Sequence, residues 1–300
     1  MSDALHVQAV PAADWPSLAA FIFAHNRASG DVCCLHSNAG EDEAAHADEL
    51  RSLPPGEACW CAARAGGVLV GVAGAEYDAT LGRAWLRGPL VAAGHDYPSV
   101  AELLLPALCA QMPATIVVHD AFVCAGCTGA IEFFRRQGFS SESNHVEYLV
   151  RPPVAEVPVP AGVRLAAPDP RWRAAIGALH ESEFRSPHVA SADLFEPDAA
   201  GHFTRIALVD EVPSGYVRAH FDRQWQEGYV DYIAVSPAAR RRGAGRALLQ
   251  AALQWSFGQA GARAVTLTMR EDRASAGALY EAAGFRRVRT GIALRRNLGR

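Results

Sequence analysis

The sequence predicts a mixed α/β protein of two tandem domains, each built as a twisted mixed sheet flanked by helices. Three observations lead to this prediction. The same order of strand and helix patterns occurs twice along the 300 residues, each half closes on a short helix followed by Gly-Phe, and a proline-rich segment lies between the halves. A chain of this length is about twice a typical domain, so two domains of ordinary size fit it.

The strand patterns come before most of the helix patterns in each half. Apolar runs separated by turn residues predict an antiparallel hairpin followed by a third strand. The predicted strands are residues 58–64, 68–74 and 84–91 in the first half, and 203–209, 215–221 and 228–235 in the second. Antiparallel strands followed by strands that alternate with helices are typical of a mixed sheet.

Both halves also close in the same way. Residues 130–137 and 278–283 have short amphipathic helix patterns. Each ends at a glycine, Gly138 or Gly284, that can adopt the left-handed conformation of a helix cap. A phenylalanine directly after each glycine begins the next predicted strand.

The domain boundary is placed in residues 151–162, where four prolines exclude a helix and disfavour a central strand. The predicted organisation is a first domain at 1–150, a linker at 151–162 and a second domain at 163–300. Charge follows this division, since the first 150 residues carry a net charge of −10 and the last 150 a net charge of +6. The positive half suggests an anionic ligand there, although a solvated arginine-rich surface would have the same composition.

Composition excludes several classes of protein. Half of the residues are hydrophobic and a fifth are charged, which excludes a disordered chain. There is no basic and then apolar leader pattern and no apolar run that could span a bilayer, so we expect a soluble, cytoplasmic protein without a membrane partner. All seven cysteines lie in the first half. Cys124 and Cys127 have the spacing of metal ligands, but no second such pair follows, so reduced thiols and no metal are expected.

The strongest chemical signal follows the strand that ends at Val235. Residues 240–246 include four arginines together with Gly243 and Gly245, at the predicted start of a helix. Free backbone N–H groups and the helix dipole bind anions at such a start, and glycine lets a phosphate approach the main chain. The segment lacks the P-loop and dinucleotide-binding patterns. A nucleic-acid partner is disfavoured, because its site would spread basic residues over a face with interleaved aromatic rings.

Two motifs in the second half are similar to those of the GNAT superfamily of acetyl-CoA-dependent N-acetyltransferases. Val235 followed by Arg240-x-x-Gly243-x-Gly245 resembles the family's coenzyme-binding signature, Gln/Arg-x-x-Gly-x-Gly/Ala after a strand that ends in Val. The segment 280–285, Tyr-x-x-x-Gly-Phe, resembles its second motif. The resemblance covers residues 163–294 well and 5–150 weakly, which implies tandem GNAT-like domains with a degenerate first copy.

This resemblance implies that acetyl-CoA is the cosubstrate. In the family, the pyrophosphate lies on the amides of the first motif, and the pantetheine arm pairs with the preceding strand like an extra strand. The positions that the resemblance assigns to the coenzyme are Ile233, Ala234, Val235, Arg240, Arg241, Arg242, Gly243, Ala244, Gly245 and Arg246. Before the last helix, where the family often has Asn, this chain has Arg273, which we expect to reach a phosphate.

Tyr280 is the candidate catalytic acid, because the resemblance places it beside the coenzyme sulfur. Acetyl transfer to an amine needs a neutral amine and a proton for the departing thiolate. A phenol with a pKa of about 10 can donate that proton without ionising at neutral pH. The second half contains no cysteine, so an acyl-cysteine intermediate is excluded there.

Asp231 is the candidate general base for the acceptor amine. Alternation along strand 228–235 predicts that Asp231 shares a face with Tyr229, Ile233 and Val235. His220 and Glu227 compete for this role, and Asp231 could instead be an ordinary hydrogen-bonded strand residue.

The acceptor is expected to be a small-molecule primary amine. In this fold its pocket is formed largely by the first two helices and their loop, here about residues 180–202. The acidic residues in that stretch are Glu181, Glu183, Asp193, Glu196 and Asp198, against Arg185 as the single arginine. Such a wall would attract a cationic amine, although an acidic face is commonly only solvated.

The first half has lost both motifs. Phe134 occupies the position that matches Tyr280, and the segment after Val91 has one glycine and no arginine. We therefore expect a degenerate domain with a structural or substrate-shaping role. The leading hypothesis is direct acetyl transfer from acetyl-CoA to an amine by the second half. A protein N-acetyltransferase and a non-catalytic acyl-CoA-binding or sensing module are the alternatives, and a homodimer is left open.

Overall fold

The computed structural model describes residues 4–29, 43–184, 189–196, 201–223 and 225–299. The chain forms two compact units, one comprising Met1–His145 with Thr290–Arg300 and the other Val146–Arg289. Each unit is a mixed sheet with helices on its faces, as the sequence predicts.

The first unit orders its strands β1-β2-β3-β4-β5 and adds the end of the last strand of the chain beside β5. Its elements are β1 (Leu5–Ala9), α1 (Ala19–Ser29), α2 (Glu43–Ser52), β2 (Ala58–Ala65), β3 (Val68–Asp78), β4 (Arg83–Val91), α3 (Tyr97–Cys109), β5 (Val118–Cys124) and α4 (Thr128–Arg136). Strands β1 to β4 are antiparallel, and β4 and β5 are parallel. Apolar side chains fill both faces of the sheet, with Leu104 of α3 buried on one face and Trp60 of β2 on the other.

The second unit repeats this arrangement. Its elements are β7 (Val163–Ala166), α5 (Arg173–Glu183), β8 (His202–Val209), β9 (Val212–Asp222), β10 (Glu227–Val235), α6 (Ala244–Gln254), β11 (Ala264–Arg270) and α7 (Ala274–Ala282). Strands β7 to β10 are antiparallel, and β10 and β11 are parallel. Residues 151–160 form neither helix nor strand, as their prolines predict.

Two long strands are divided between the units. β6 (Ser140–Val150) begins in the first unit and ends in the second, whereas β12 (Arg286–Asn297) begins in the second and ends in the first. The second unit therefore contains residues 146–150, predicted in the first domain, and residues 151–162, predicted as a linker, whereas residues 290–300 of the predicted second domain belong to the first unit. The assignment of function to 1–150, 151–162 and 163–300 remains a prediction.

The second sheet has two differently covered faces. On the face we call the α6 face, Leu248 and Val217 are buried together with side chains of β11. On the opposite face, the α5 face, Ile176 of α5 is buried with Tyr216 and Tyr232. Because side chains alternate along a strand, the end of β10 contributes residues to both faces.

Candidate functional site

Strand β10 separates from β11 part of the way along its length. The parallel pairing joins Glu227–Tyr229 to Ala264–Thr266 and then stops, whereas pairing with β9 continues to Val235. Within the described chain, no strand pairs with the β11 side of Ile233–Val235. These residues therefore present peptide groups to which an extended ligand can add as a strand.

The chain turns from the end of β10 into α6 through a left-handed segment. Arg241 has a φ of 65° and Gly243, the N-cap of α6, a φ of 85°. The first N–H groups of α6 have no partner within the helix, so they and the helix dipole can attract an anion. The predicted helix start near Gly243 is confirmed.

The two glycines of this segment have different reasons to lack a side chain. A Cβ on Gly243 would lie 2.5 Å from Cγ of Pro160. Both this close packing and the positive φ therefore require glycine at position 243. A Cβ on Gly245 would make only ordinary contacts of 3.5 Å with Leu279 and 3.6 Å with Val235. Neither a positive φ nor packing among the described residues explains the absence of a side chain at Gly245.

Two of the predicted phosphate-binding arginines are held by a single carboxylate. Arg240 Nη2 donates to Oε1 of Glu183 at 2.6 Å, and Arg273 Nη1 donates to Oε2 at 2.9 Å. Arg240 Nε also donates to the carbonyl oxygen of Val235 at 3.1 Å. Glu183, expected in the acidic wall of the acceptor pocket, is thus engaged at the opening of β10 instead.

The other arginines fall into two groups. Arg242 forms a bidentate ion pair with Asp210, with distances of 2.6 and 3.0 Å. Arg241 and Arg246 are exposed, and neither has an ion-pair partner in the part of the chain that the structure describes. These two guanidinium groups remain available for an anionic ligand.

Tyr280 lies on α7 and is buried, with 6% of its surface exposed. Its ring centroid lies 5.8 Å from that of Tyr148 and 6.0 Å from that of Phe285. Burial and the nearby hydroxyls of Tyr229 and Tyr148 raise the pKa of Tyr280 above its ordinary value. The phenol therefore stays protonated at neutral pH and can donate a proton.

Asp231 is hydrogen-bonded to a histidine on the neighbouring strand. Nδ1 of His220 lies 2.9 Å from Oδ1 and 3.1 Å from Oδ2 of Asp231, whose side chain is 5% exposed against 36% for His220. An ionised carboxylate only accepts, so Nδ1–H donates and Nε2 carries the lone pair of the neutral ring. Burial lowers the pKa of His220, but the hydrogen bond and charge of Asp231 outweigh burial and raise it.

The predicted placement of Asp231 on one face with Ile233 and Val235 is wrong. A β-bulge shifts the pairing of β9 and β10 between Val230 and Tyr232, leaving Asp231 as the extra residue. As a result Ile233 and Val235 pack on the α6 face, whereas Asp231 reaches His220.

Tyr229 connects the two candidate catalytic groups. It lies opposite His220 on the neighbouring strand, with ring centroids 5.5 Å apart, and its side chain is hydrogen-bonded to Thr268 of β11. The same hydroxyl raises the pKa of Tyr280. His220 and Tyr280 are thus both neighbours of Tyr229, at the point where β10 leaves β11. The sequence did not indicate a role for Tyr229, because alternation along the strand does not show where the parallel pairing with β11 ends.

Glu227 is a poor competitor for the base. It is buried, and burial together with the charge of Glu147 raises its pKa to about 7. It lies six residues before Ile233, which is about 20 Å along a strand. In the predicted acidic wall, Glu181 accepts a hydrogen bond from Ser191 at 3.1 Å, and Asp198 and Arg185 lie outside the described residues.

The first unit has a different structure at the matching positions. The helix after strand β4 is α3, whose N-cap Asp96 accepts a hydrogen bond from the N–H of Ser99 at 3.0 Å. A carboxylate thus occupies the helix start where the second unit has Gly243. Phe134 is buried against Phe139, with ring centroids 4.9 Å apart, and has no proton to donate.

Other site chemistry is limited among the described residues. No group of three or more His, Cys, Asp or Glu side chains there could hold a metal ion. Burial raises the pKa of Cys59 and of Cys61 to about 12, so both stay thiols. None of the described helices is long and apolar enough to cross a membrane.

Comparison with known proteins finds a family model that matches part of the second half. Residues 169–285 match the model of the acetyltransferase (GNAT) family. A GCN5-related N-acetyltransferase from Sphaerobacter thermophilus is 17% identical with a TM-score of 0.71, over 99% of this chain and 96% of that one. A tandem GNAT protein from the clavulanic acid biosynthesis pathway is 16% identical with a TM-score of 0.63, over 99% of both chains.

A third similar structure is a GCN5-related N-acetyltransferase from Kribbella flavida, 20% identical with a TM-score of 0.58, over 78% of this chain and 89% of that one. No curated protein matches the sequence. At these identities the structural likenesses show the fold. They confirm the predicted fold class, a mixed α/β protein with two tandem GNAT-like domains.

Proposed function

Because residues 169–285 match the model of the acetyltransferase (GNAT) family, we propose that the second unit transfers acetyl from acetyl-CoA directly to a primary amine of a small molecule. One observation carries this proposal. The unpaired edge of β10 ends beside the left-handed start of α6, so an extended ligand along Ile233–Val235 would bring its phosphates to the helix N-terminus.

The residues at this place fit the coenzyme. Peptide groups of Ile233–Val235 would hold the pantetheine arm, and the amides from Arg241 to Arg246 the pyrophosphate. Gly245 leaves room for the ligand without being required by the fold. Arg241 and Arg246 supply positive charge, whereas Arg240 and Arg273 must first exchange Glu183 for a phosphate.

Tyr280 is proposed as the acid. In the reaction the amine nitrogen forms a bond to the acetyl carbon, the carbon–sulfur bond breaks, and the thiolate needs a proton. The raised pKa of Tyr280 keeps that proton on the phenol until the thiolate leaves. The proton returns to the phenol from solvent after release of the thiol.

His220 is proposed as the base and Asp231 as its positioning partner. The hydrogen bond to Asp231 fixes the ring so that Nε2 can accept a proton from the attacking amine. This role was predicted for Asp231 itself, but the carboxylate is 5% exposed and engaged by His220, which is the more accessible of the two.

The first unit is proposed to be catalytically silent, with a structural or substrate-shaping role. Asp96 caps its α3, and the negative charge there would repel a phosphate. Phe134 cannot act as an acid.

The test is thiol release from acetyl-CoA with a panel of polyamines, aminoglycosides, amino acids and peptides. We expect release with at least one small amine, matched by an equal amount of acetylated product. Release with peptides alone would indicate a protein acetyltransferase. Coenzyme binding with no release on any acceptor would indicate the sensing module and contradict the proposal.

A further inference from the structure

Arg218 on β9 is a buried cation whose hydrogen-bond partners among the described residues are all neutral. The residue is 8% exposed. Nη1 donates to the carbonyl oxygen of Asp193 at 3.0 Å and lies 3.4 Å from Oγ1 of Thr204. Nε is buried without a partner. Throughout the described ranges no carboxylate forms an ion pair with this guanidinium.

A buried charge that has no counter-charge among the described residues is unfavourable, so its retention needs a reason. The bonds to Asp193 and Thr204 engage Nη1 only. The remaining N–H groups, on Nε and Nη2, lie along one edge of the planar guanidinium, which is the edge that binds a carboxylate with two parallel hydrogen bonds. The positive charge is felt nearby, since burial and then Arg218 lower the pKa of His202.

Arg218 lies next to the proposed base. It is two residues before His220 on β9, so the two side chains project from the same face about 7 Å apart. In the register, Arg218 pairs with Thr204 and Tyr232, and His220 pairs with His202 and Tyr229. Arg218 and His220 thus belong to neighbouring cross-strand rows of side chains on β8, β9 and β10.

We propose that Arg218 binds a carboxylate of the acceptor while the acceptor amine lies at Nε2 of His220, so that the acceptor is an amino acid or a similar molecule bearing both groups. This inference rests on the proposed function. The span of about 7 Å between the two side chains suits an amine and a carboxylate separated by one to three carbon atoms. Binding of the carboxylate by Arg218 would favour such acceptors over amines that carry no negative charge.

The experiment compares matched acceptors with and without the carboxylate. Several α-, β- and γ-amino acids are assayed beside their methyl esters and decarboxylated amines. In the unmodified protein we expect kcat/KM for the best amino acid to exceed that for its ester and its amine by about 30-fold or more. An equal or higher kcat/KM for the esters and amines, which lack the carboxylate, would overturn the inference while leaving the proposed function intact.

Substitution of the arginine tests the residue itself. R218Q should lower the preference for the amino acid over its decarboxylated amine by about 30-fold, and R218K should retain part of it. Arg205→Gln, on the neighbouring strand β8 with its guanidinium 4.3 Å from the ring centroid of Phe203, is the matched control and should keep the preference. An equal loss of kcat/KM on both acceptors would assign Arg218 a structural role and contradict the inference.

Two further measurements keep the inference testable. Thermal unfolding shows whether R218Q is folded, and if it is not, R218K and the acceptor preference of the unmodified protein decide. Calorimetric titration with the same amino acids does not need turnover. Binding that R218K weakens would support the carboxylate site even if no acetyl transfer is found, whereas absence of binding and of preference would overturn it.

Discussion

Tyr280 combines burial with neighbouring hydroxyls, and both keep its proton on the phenol. Y280F should therefore lower kcat by about 100-fold or more while leaving the Kd for acetyl-CoA within about twofold, because the ring still fills its place on α7. Thiol release and calorimetry measure the two quantities. Tyr77→Phe, a buried tyrosine of the first unit, is the control. An unchanged kcat in Y280F would remove Tyr280 from the mechanism.

His220 gives the reaction its expected dependence on pH. The base must be neutral, so kcat/KM should rise with pH through the raised pKa of His220. D231N removes the charge that raises this pKa, so the rise should move to lower pH and reach a lower plateau. A profile that D231N leaves unmoved would contradict the pairing.

The raised pKa of His220 also makes the stability of the fold depend on pH. Because its pKa is raised in the folded state, its contribution to the free energy of unfolding is present below the unfolded pKa of about 6.5 and is lost as pH rises through the folded value. D231N should therefore destabilise the protein more at pH 5.5 than at pH 8. Denaturant unfolding at the two pH values checks this difference, and an equal loss at both would speak against it.

Glu183 neutralises two arginines at the opening of β10. E183Q removes a negative charge from the place where phosphates are expected, so acetyl-CoA should bind about three- to tenfold more tightly. Glu181→Gln, two residues earlier on α5, is the control. Weaker binding in E183Q would mean that Glu183 arranges the arginines for the coenzyme.

Some residues and contacts near the candidate site could not be predicted from the sequence. The two motifs predict Arg240–Arg246 and Tyr280 as site residues, because one motif lies within a single turn and the other within a single helix. Arg218 was missed, since a buried arginine and an exposed one look the same in a sequence. The pairing of Glu183 with Arg240 joins positions far apart in the chain, and no local pattern encodes it.

Among the elements, the start of α6 depends on two glycines in different ways. G243A should destabilise the fold by about 1–2 kcal/mol or more, because alanine is strained at a φ of 85° and its Cβ would contact Pro160. G245A should leave thermal unfolding nearly unchanged and affect acetyl-CoA affinity instead. If G245A lowers the melting temperature as much as G243A, packing and not the ligand explains that glycine.

Element types were predictable because strand and helix periods are strong signals, as for β8, β9 and β10. The β-bulge at Asp231 was not, since strict alternation assumes that every residue of a strand pairs. That one extra residue separates Asp231 and His220 from the face of Ile233 and Val235. The division of β6 and β12 between units also depends on long-range pairing that composition does not encode.

For the whole molecule, the two compact units imply where the chain can be cut. Val146, Tyr148 and Val150 are buried in the core of the second unit, so a fragment 163–300 loses their apolar contacts, worth about 1.5–3 kcal/mol each. We expect a fragment 146–289 to unfold cooperatively and to bind acetyl-CoA, and fragment 163–300 to do neither. Equal behaviour of the two fragments would show that the end of β6 is dispensable.

Of the two similar units, only the second is proposed to hold acetyl-CoA at a helix start and to transfer its acetyl group. Calorimetric titration of the whole chain with acetyl-CoA tests this proposal most directly, in the unmodified protein and in the double variant R241Q/R246Q. We expect one site per chain, with binding about tenfold or more weaker in the variant. Two sites per chain, or one site that ignores these substitutions, would contradict it.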